Sequence, residues 1–436
     1  MYQTSYKGYA NLNYKPNYDK DVVVTYYLEP AKGPTSTKAS AGGEKFEVVA
    51  EAVAGESSIG TWTHLDTLSD KVKKQLSPKI FVIDKKRGFI KIAYPLDLFE
   101  LGSIPQILSS IGGNVFSMKM VERLRLEDIE FPKVLIDSFS GPQLGIAGIR
   151  KLIGIKNRPL VGSIMKPKVG MNAKEYGKLA YQTWKGGVDV IKDDENLTSL
   201  SFNKFEDRVN EVLAAKKKVE KETGEKKVYV FNVTAPADIA LKRAKYVKAK
   251  GGNCIMVDIV TMGWSAIQYL RAQKLGLIIH GHRAGHSTFT KDVRHGISML
   301  VVAKLSRLAG IDQLHTGTVV GKMEGTPEEV SVIDHFLHED DGVVDLLRED
   351  WSGIKSTMPI ASGGLHPALA FPLVEMLGND LIINFGGGIH GHPNGSLAGA
   401  KAARAAVEAA SKGISIKEAV KISPELKVAV EYWAKK

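Results

Sequence analysis

Eight short apolar runs, separated by segments with helical spacing, dominate the chain from Pro159 onward. Each ends in polar residues or glycine, and in order they read LVGSIMKPK, VDVIKDDE, VYVFNVT, CIMVDIV, LIIHGHR, QLHTGT, MPIASGG and LIINFGGG. The spacing predicts helices over 172–184, 204–223, 236–250, 294–308 and 398–410. Eight strand–helix units fit a closed parallel (β/α)8 TIM barrel, whose active site lies at the carboxyl ends of the strands. An open doubly wound sheet is the alternative, but no GxGxxG follows the first run, which argues against a dinucleotide fold.

Residues 1–135 have a different pattern, which predicts a separate α+β domain before a barrel domain over 136–436. Strands are expected at 21–28 and 118–126, and two more around the turn-like sequence KKRG within 79–98. Helices are expected at 44–54 and 103–111, and the Gly/Ser-rich stretch 31–43 is predicted to be a loop. This order is typical of an antiparallel, ferredoxin-like sheet.

The second apolar run ends in Lys192, followed by the acids Asp193, Asp194 and Glu195. Side chains alternate along a strand, so Lys192 and Asp194 are expected on the same side, with Glu195 in the loop that follows. Carboxylate oxygens are the ligands that Mg²⁺ prefers. A lysine ammonium cannot be a ligand, but an amine that has captured CO₂ as a carbamate can. Taken alone, such a stretch is more often a surface salt bridge.

Cationic and glycine-rich sequences end several other runs. The first ends with Lys166 and Lys168 at alternate positions, and two cations side by side suit a dianionic substrate or neighbouring acids. The fifth ends with His282 and Arg283, which suit proton transfer and phosphate contact. The sixth carries His315 and then Lys322, within a glycine-flanked loop predicted to be a mobile lid.

Glycines follow the seventh and eighth runs, where Ser362-Gly363-Gly364 and Gly386-Gly387 expose backbone N–H groups that suit phosphates. One Gly-Gly pair is more often a tight turn. Two pairs on the last strands of a barrel, where phosphates usually bind, are stronger evidence. Together these strand ends indicate a Mg²⁺ site and a small substrate with two phosphates.

Composition excludes several other classes of protein. The single cysteine, Cys254, rules out a disulfide scaffold and favours a reducing cytoplasm. No apolar stretch is long enough for a membrane span, and the polar start lacks the apolar core of a signal peptide. The net charge of +11 suits an anionic substrate. Nucleic acid is a weaker interpretation, because the lysine run at 216–218 lies in a helical segment that also carries glutamates.

With these motifs in order, the chain resembles the large subunit of ribulose-1,5-bisphosphate carboxylase/oxygenase (RuBisCO) over nearly its whole length. The matching stretches are GESSIGTW at 55–62, GNVF at 113–116, KPK at 166–168, GVDVIKDDEN at 187–196, HRA at 282–284, HTGTVVGKMEG at 315–325, SGG at 362–364 and FGGG at 385–388. The resemblance implies carboxylation of ribulose 1,5-bisphosphate by CO₂ and water to two 3-phosphoglycerates through a Mg-bound enediolate, with an oxygenase side reaction with O₂.

The resemblance also implies a role for each matched residue. Lys192 would be the carbamylated ligand of Mg²⁺, beside Asp194 and Glu195. Lys166, supported by Lys168, would transfer protons at the enediol. His282 would assist hydration and proton transfer, and Lys322 would bind CO₂. One phosphate would bind to Arg283, His315 and Ser362, and the second to Thr61, Trp62, Gly363, Gly364, Gly386 and Gly387. Glu56 and Asn114 would reach the site from a partner subunit.

Departures from the plant-type sequence narrow the branch. Asn384 and Ile389-His390 flank the glycine motif differently, and the tail after Ile422 is short. This is similar to the archaeal form III branch, which works as a homo-oligomer built on a dimer, without small subunits, and is linked to AMP salvage. The alternatives are a RuBisCO-like enolase or isomerase on the same scaffold, a Schiff-base aldolase using Lys166 or Lys192, and an inactive assembly protein.

Overall fold

A computed structural model of the chain describes residues 6–32, 45–320, 330–333, 337, 341–343 and 348–435. The chain forms two compact units. The first contains the described residues of Met1–Phe139, His286–Leu305 and Asp340–Ile354, and the second contains those of Ser140–Gly285, Ser306–Glu339 and Lys355–Lys436. Two later segments of the chain therefore join the amino-terminal unit. The division into domains 1–135 and 136–436 remains our proposal.

The first unit is built on a β-α-β-β-α-β sheet. Its four antiparallel strands lie in the order Val121–Glu130, Asp21–Pro30, Phe89–Pro95 and Lys79–Asp84. Helices Phe46–Glu56 and Ile104–Ile111 connect them. The ferredoxin-like order predicted from the sequence is confirmed.

Two features of the first unit differ from the prediction. A fifth strand, Gly296–Ile297, pairs in parallel with Val121–Glu130, so the sheet is mixed. The helix expected over 294–308 therefore begins later and spans Met299–Ala309, because Gly296 has a φ of +108° and the chain is extended there. A short helix, Asp70–Leu76, was not expected; Ser69 caps it by accepting from the backbone N–H of Val72.

The second unit contains the predicted closed barrel of eight parallel strands. In chain order they are Leu160–Ile164, Val190–Lys192, Val228–Asn232, Cys254–Asp258, Ile278–His282, Gln313–Gly317, Met358–Ser362 and Ile382–Phe385. Most of their residues are buried, as expected for strands covered on both faces. The main helices between or after them are Ala173–Lys185, Phe205–Thr223, Ala237–Ala249, Trp264–Ala272, Met299–Ala309, Ala370–Leu377 and Gly395–Ser411.

An apolar plug closes the amino end of the barrel. Ile146, Ile149 and Ile153 of the helix Gly145–Ile153 pack against inward side chains such as Leu160 and Val228. Because this end is filled by hydrocarbon, polar chemistry is left to the carboxyl end of the strands.

Short elements complete the description. Further helices among the described residues are Lys133–Asp137, Ile259–Met262, Ser287–Thr290, Gly387–His390, Ile416–Ile422 and Pro424–Trp433, with 3-10 turns at Leu96–Leu98, Asn114–Ser117 and Pro367–Leu369. A two-stranded antiparallel ribbon joins Asp341–Val343 to Arg348–Asp350. Among the described helices, none combines the length and the apolar character needed to cross a bilayer.

Candidate active site

Charged side chains converge where the first two barrel strands end. Lys166 follows the strand Leu160–Ile164, and Asp194 follows the strand Val190–Lys192. Lys166 Nζ lies 2.9 Å from Asp194 Oδ2, and Lys168 Nζ lies 3.3 Å from Glu195 Oε1. The coulombic attraction of Glu195, followed by that of Asp194, raises the pKa of Lys168. The two lysines that the sequence places side by side are thus compensated by the two acids.

Lys192 is the last residue of its strand and is almost completely buried, with 1 % exposure. Its Nζ donates to the backbone carbonyl of Asp193 at 2.8 Å. Burial lowers the pKa of this amine, against the opposing attraction of Glu195 and Asp194. A larger fraction of the Lys192 amine is therefore unprotonated, and only the unprotonated amine has the lone pair that attacks CO₂.

His282 links two acids at the end of the strand Ile278–His282. Its Nε2 lies 3.6 Å from Glu195 Oε2, and its Nδ1 lies 3.0 Å from Asp258 Oδ1. Burial, followed by the charge of Lys192, lowers the pKa of His282. Burial opposes the ionisation of Glu195, but His282 and Lys192 prevail and lower its pKa to about 2. Glu195 is therefore a carboxylate at neutral pH and can serve as an anionic ligand.

A second group lies on the neighbouring strand Gln313–Gly317. His315 Nε2 is 2.9 Å from Nε2 of His280, whose Nδ1 is 3.0 Å from Gln313 Oε1. Burial holds the pKa of both histidines well below the usual range, so both rings are neutral. A β-carbon on Gly317, at φ +114°, would lie 2.9 Å from Nη2 of Arg283, so glycine there makes room for the guanidinium. Arg283 and His315 thus belong to one region of the barrel mouth.

The two glycine turns follow the seventh and eighth barrel strands, and the second lies beside Lys166. Gly363 and Gly364, after Ser362, have φ values of +129° and +73°, a backbone that other residues rarely adopt. A β-carbon on Gly386 would lie 3.3 Å from Cε of Lys166, whereas one on Gly387 would meet nothing within 4 Å. The second turn therefore borders both Lys166 and open space, as a phosphate cradle requires.

The donor set fits a hard divalent cation. Asp194 and Glu195 supply carboxylate oxygens, each already beside a cationic group, and the Lys192 amine lies in the same network. A carbamate on Lys192 would add a third oxygen anion. Oxygen ligands in this number, completed by substrate or water, match Mg²⁺ chemistry.

Four residues expected at the site lie in the first unit. Glu56 ends the helix Phe46–Glu56 and accepts a hydrogen bond from Tyr6. Thr61 and Trp62 follow in an irregular segment, where Trp62 is 61 % exposed. Asn114 begins a 3-10 turn and is also exposed. Lys322 lies outside the described residues.

The structure adds neighbours that the sequence did not single out. Asp258 ends its strand beside His282, and His280 contacts His315. An acid at the end of a barrel strand is the signal that could have found Asp258, whereas His280 is the third residue of its strand. Asp193 faces away from the other acids and is bound by Arg208. His390 contacts Ser163 and Ser396, at 3.2 and 2.9 Å, and no sequence pattern pairs these residues.

Two family models match nearly the whole chain. The model described as "Ribulose bisphosphate carboxylase large chain, N-terminal domain" matches residues 8–135, and the corresponding "catalytic domain" model matches residues 145–433. Among curated relatives, the ribulose bisphosphate carboxylase of Methanosarcina mazei is 46 % identical over 99 % of this chain and 100 % of its own. That of Pyrococcus abyssi is 46 % identical over 98 % and 96 %.

Solved structures agree with this similarity. An octameric enzyme from Pyrococcus horikoshii OT3, crystallised with sulfate ion, has a TM-score of 0.90 and 46 % identity, over 98 % of this chain and 96 % of its own. A dimeric archaeal Rubisco from Hyperthermus butylicus has a TM-score of 0.90 and 42 % identity over 98 % of both chains.

Proposed function

Because the chain belongs to the ribulose bisphosphate carboxylase large-chain family, we propose that it carboxylates D-ribulose 1,5-bisphosphate with CO₂ and water. The products are two molecules of 3-phospho-D-glycerate, and O₂ competes with CO₂ in an oxygenase side reaction. The observation that carries the proposal is the convergence of Lys166, Lys192, Asp194, Glu195 and His282 at the carboxyl ends of barrel strands.

Three residues would hold Mg²⁺: Lys192 as a carbamate, Asp194 and Glu195. The buried amine of Lys192, with its lowered pKa, supports carbamate formation, because attack on CO₂ requires an unprotonated nitrogen. Bound there, the cation would stabilise negative charge developing on the substrate oxygens.

Proton transfer is assigned to the groups around this set. Lys166 would transfer protons at the enediol, where its ammonium also stabilises the developing oxyanion. Lys168 supports it by contributing a second positive charge. His282, kept neutral by burial, can accept a proton during hydration of the six-carbon intermediate.

The two phosphates would occupy separate cradles. Arg283, His315 and Ser362 would bind one, and the room that Gly317 leaves for the guanidinium supports this assignment. The second phosphate would bind to the glycine turns at Gly364 and at Gly386–Gly387. Gly363 would shape the turn that contains Gly364. Thr61 and Trp62 would complete the second cradle.

The complete site would need two chains. Glu56 and Asn114 would reach the barrel of a partner subunit, and Lys322 would hold CO₂ and the nascent carboxylate. Relatives of this chain are described as dimeric and octameric, which supports a homo-oligomer built on a dimer. We also propose that it needs no small subunit and, as an archaeal-type form III enzyme, works in AMP salvage.

The decisive experiment supplies ¹⁴C-bicarbonate and ribulose bisphosphate with and without Mg²⁺. We expect label in 3-phosphoglycerate only with the metal. A RuBisCO-like enolase or isomerase would rearrange the substrate or exchange its proton without incorporating label, and that result would overturn the proposal. Borohydride reduction with a ketose phosphate would label the protein covalently if the chain were instead a Schiff-base aldolase.

A further inference from the structure

Asp193 lies between two proposed metal ligands in the sequence, yet its carboxylate is bound elsewhere. It is completely buried, with 0 % exposure. Its oxygens accept from the hydroxyl of Tyr229 at 2.7 Å and from the backbone N–H of Asn232 at 2.9 Å. Nε of Arg208, also 0 % exposed, lies 3.1 and 3.2 Å from the two oxygens. Three donors thus hold this acid on the side opposite Asp194.

Arg208 extends the same network to the far side of the loop that carries the ligands. Its Nη2 donates to the carbonyl of Thr198 at 2.6 Å, and its Nη1 donates to Oδ1 of Asn203 at 3.0 Å. One guanidinium, fixed on the helix Phe205–Thr223, therefore ties the start and the end of the segment 193–203 together.

Asn232 completes the arrangement from the neighbouring strand. Its backbone N–H binds Asp193, and its side-chain amide donates to the carbonyls of Glu195 at 3.0 Å and Asp194 at 3.4 Å. The Lys192 amine donates to the carbonyl of Asp193. The backbone carbonyls of three successive residues are thus engaged, that of Asp193 by the Lys192 amine and those of Asp194 and Glu195 by Asn232.

We propose that the buried Asp193–Arg208 ion pair is a positioning pair for the divalent cation. It binds no metal itself but holds the junction between the strand and the loop, so that Lys192, Asp194 and Glu195 present their oxygens to one point. This inference rests on the proposed function, which supplies the metal and the carbamate.

The cost of such a pair gives a physical reason to assign it this purpose. A fully buried ion pair is not by itself a reason to expect a more stable fold, because two apolar side chains of similar size often stabilise the folded state equally well. Outer groups that orient metal ligands, by contrast, typically change metal affinity 10- to 100-fold when they are removed. The Asp193–Arg208 pair contacts both ends of the segment 193–203, which carries two of the proposed metal ligands, so it is placed to orient those ligands.

The same strand offers a matched control at its other end. Asp189, also 0 % exposed, precedes the strand Val190–Lys192, whereas Asp193 follows it. Asp189 Oδ2 lies 2.6 Å from Nη1 of Arg158 and accepts from the backbone N–H of Val161 at 2.8 Å. Both acids are therefore buried partners of an arginine, but only Asp193 is next to the ligands.

The test compares Asp193→Asn with Asp189→Asn in the full-length oligomer. Mn²⁺ affinity is measured by electron paramagnetic resonance with and without CO₂, and retained ¹⁴CO₂ reports the carbamate. We expect Asp193→Asn to weaken CO₂-dependent Mn²⁺ binding by about 10- to 100-fold. Asp189→Asn should lower the unfolding temperature and leave Mn²⁺ affinity within about twofold of the parent. Parental affinity in Asp193→Asn, or an equal loss in both variants, would overturn the inference.

A double variant separates positioning from stability. Asp193→Asn with Arg208→Met removes both charges, so that neither is left buried alone. We expect it to unfold at a higher temperature than Arg208→Met alone, while Mn²⁺ binding stays weak. Recovery of Mn²⁺ affinity together with the unfolding temperature would mean that the pair only stabilises the fold. Failure of the parent itself to bind Mn²⁺ in a CO₂-dependent way would contradict the proposed function instead.

Discussion

The contact between the two glycine turns makes a quantitative prediction for Gly388→Ala. A β-carbon at this position would lie 2.3 Å from the carbonyl oxygen of Leu365 and 2.7 Å from Cα of His366. Real β-carbons stay at least 3.0 Å from such atoms, so the turns must separate by about 0.7 Å. Both obstacles are backbone and cannot rotate away. Overpacking of this kind costs about 1–3 kcal/mol, which exceeds the gain of up to about 1 kcal/mol from placing alanine in a helix.

Gly387→Ala is the matched control, because a β-carbon there meets nothing within 4 Å. We expect Gly388→Ala to lower the Tm, by roughly 2–4 °C per kcal/mol, and Gly387→Ala to leave it unchanged. The methyl group of Gly387→Ala should instead obstruct the phosphate. Loss of one hydrogen bond to a charged group, worth about 1.5–3 kcal/mol, would raise the KM for ribulose bisphosphate about 10- to 100-fold.

Thermal unfolding and KM, measured on both variants, test these two expectations separately. A Tm of Gly388→Ala equal to that of the parent would refute the close approach of the turns. An unchanged KM in Gly387→Ala would refute the phosphate cradle at that turn, even if the stability prediction holds.

Three further predictions concern the proposed chemistry. Preincubation with CO₂ and Mg²⁺ should raise the initial rate of the parent, and Lys192→Ala should lose both metal binding and turnover; full activity in that variant would contradict the carbamate. Lys322→Ala should retain proton exchange at the substrate, followed in deuterated water, while losing carboxylation; loss of both by a folded variant would contradict its assignment to CO₂. Lys192→Ala and Asn114→Ala, each nearly inactive alone, should regain activity when co-expressed with different tags, because one site of a mixed dimer carries neither change. If mixed dimers form but are as inactive as the two single-variant homodimers, the site is not shared between subunits.

The fold could be predicted because its elements follow local patterns. Eight buried strands read as apolar runs, and a parallel barrel buries strands on both faces. The exception is instructive: residues 294–297 have helical spacing, yet Gly296 and Ile297 pair with a strand more than a hundred residues earlier. Whether these residues form a helix or a strand depends on pairing with the strand Val121–Glu130, and the sequence around Gly296 does not contain that partner.

The site could be predicted as far as strand alternation reaches. Alternation predicts Lys192 and Asp194 on one side, and Asp194 lies 2.9 Å from Lys166 at the end of the neighbouring strand. It also places Asp193 on the opposite face but does not name what it meets there. Arg208 lies 15 residues later on a helix, so their contact depends on how that helix packs. Asp258 was missed for a different reason: the run CIMVDIV was drawn two residues too long, whereas the strand ends at Asp258.

The charges in the mouth of the barrel explain why a lysine, rather than a third acid, would stand at position 192. Asp194 and Glu195 are already balanced by Lys166 and Lys168, so these four side chains carry no net formal charge, and Asp258 beside His282 adds one further acid to the mouth of the barrel. A permanent acid at position 192 would place an unbalanced anion in a site with 1 % exposure, at a large desolvation cost, whenever the metal is absent. A carbamate would supply that anion only when CO₂ is available, and together with a divalent cation it would add one net positive charge to the site, which suits a substrate with two phosphates. In the proposed function, the buried lysine would make metal binding conditional on CO₂, and the CO₂ dependence of Mn²⁺ affinity tests this directly.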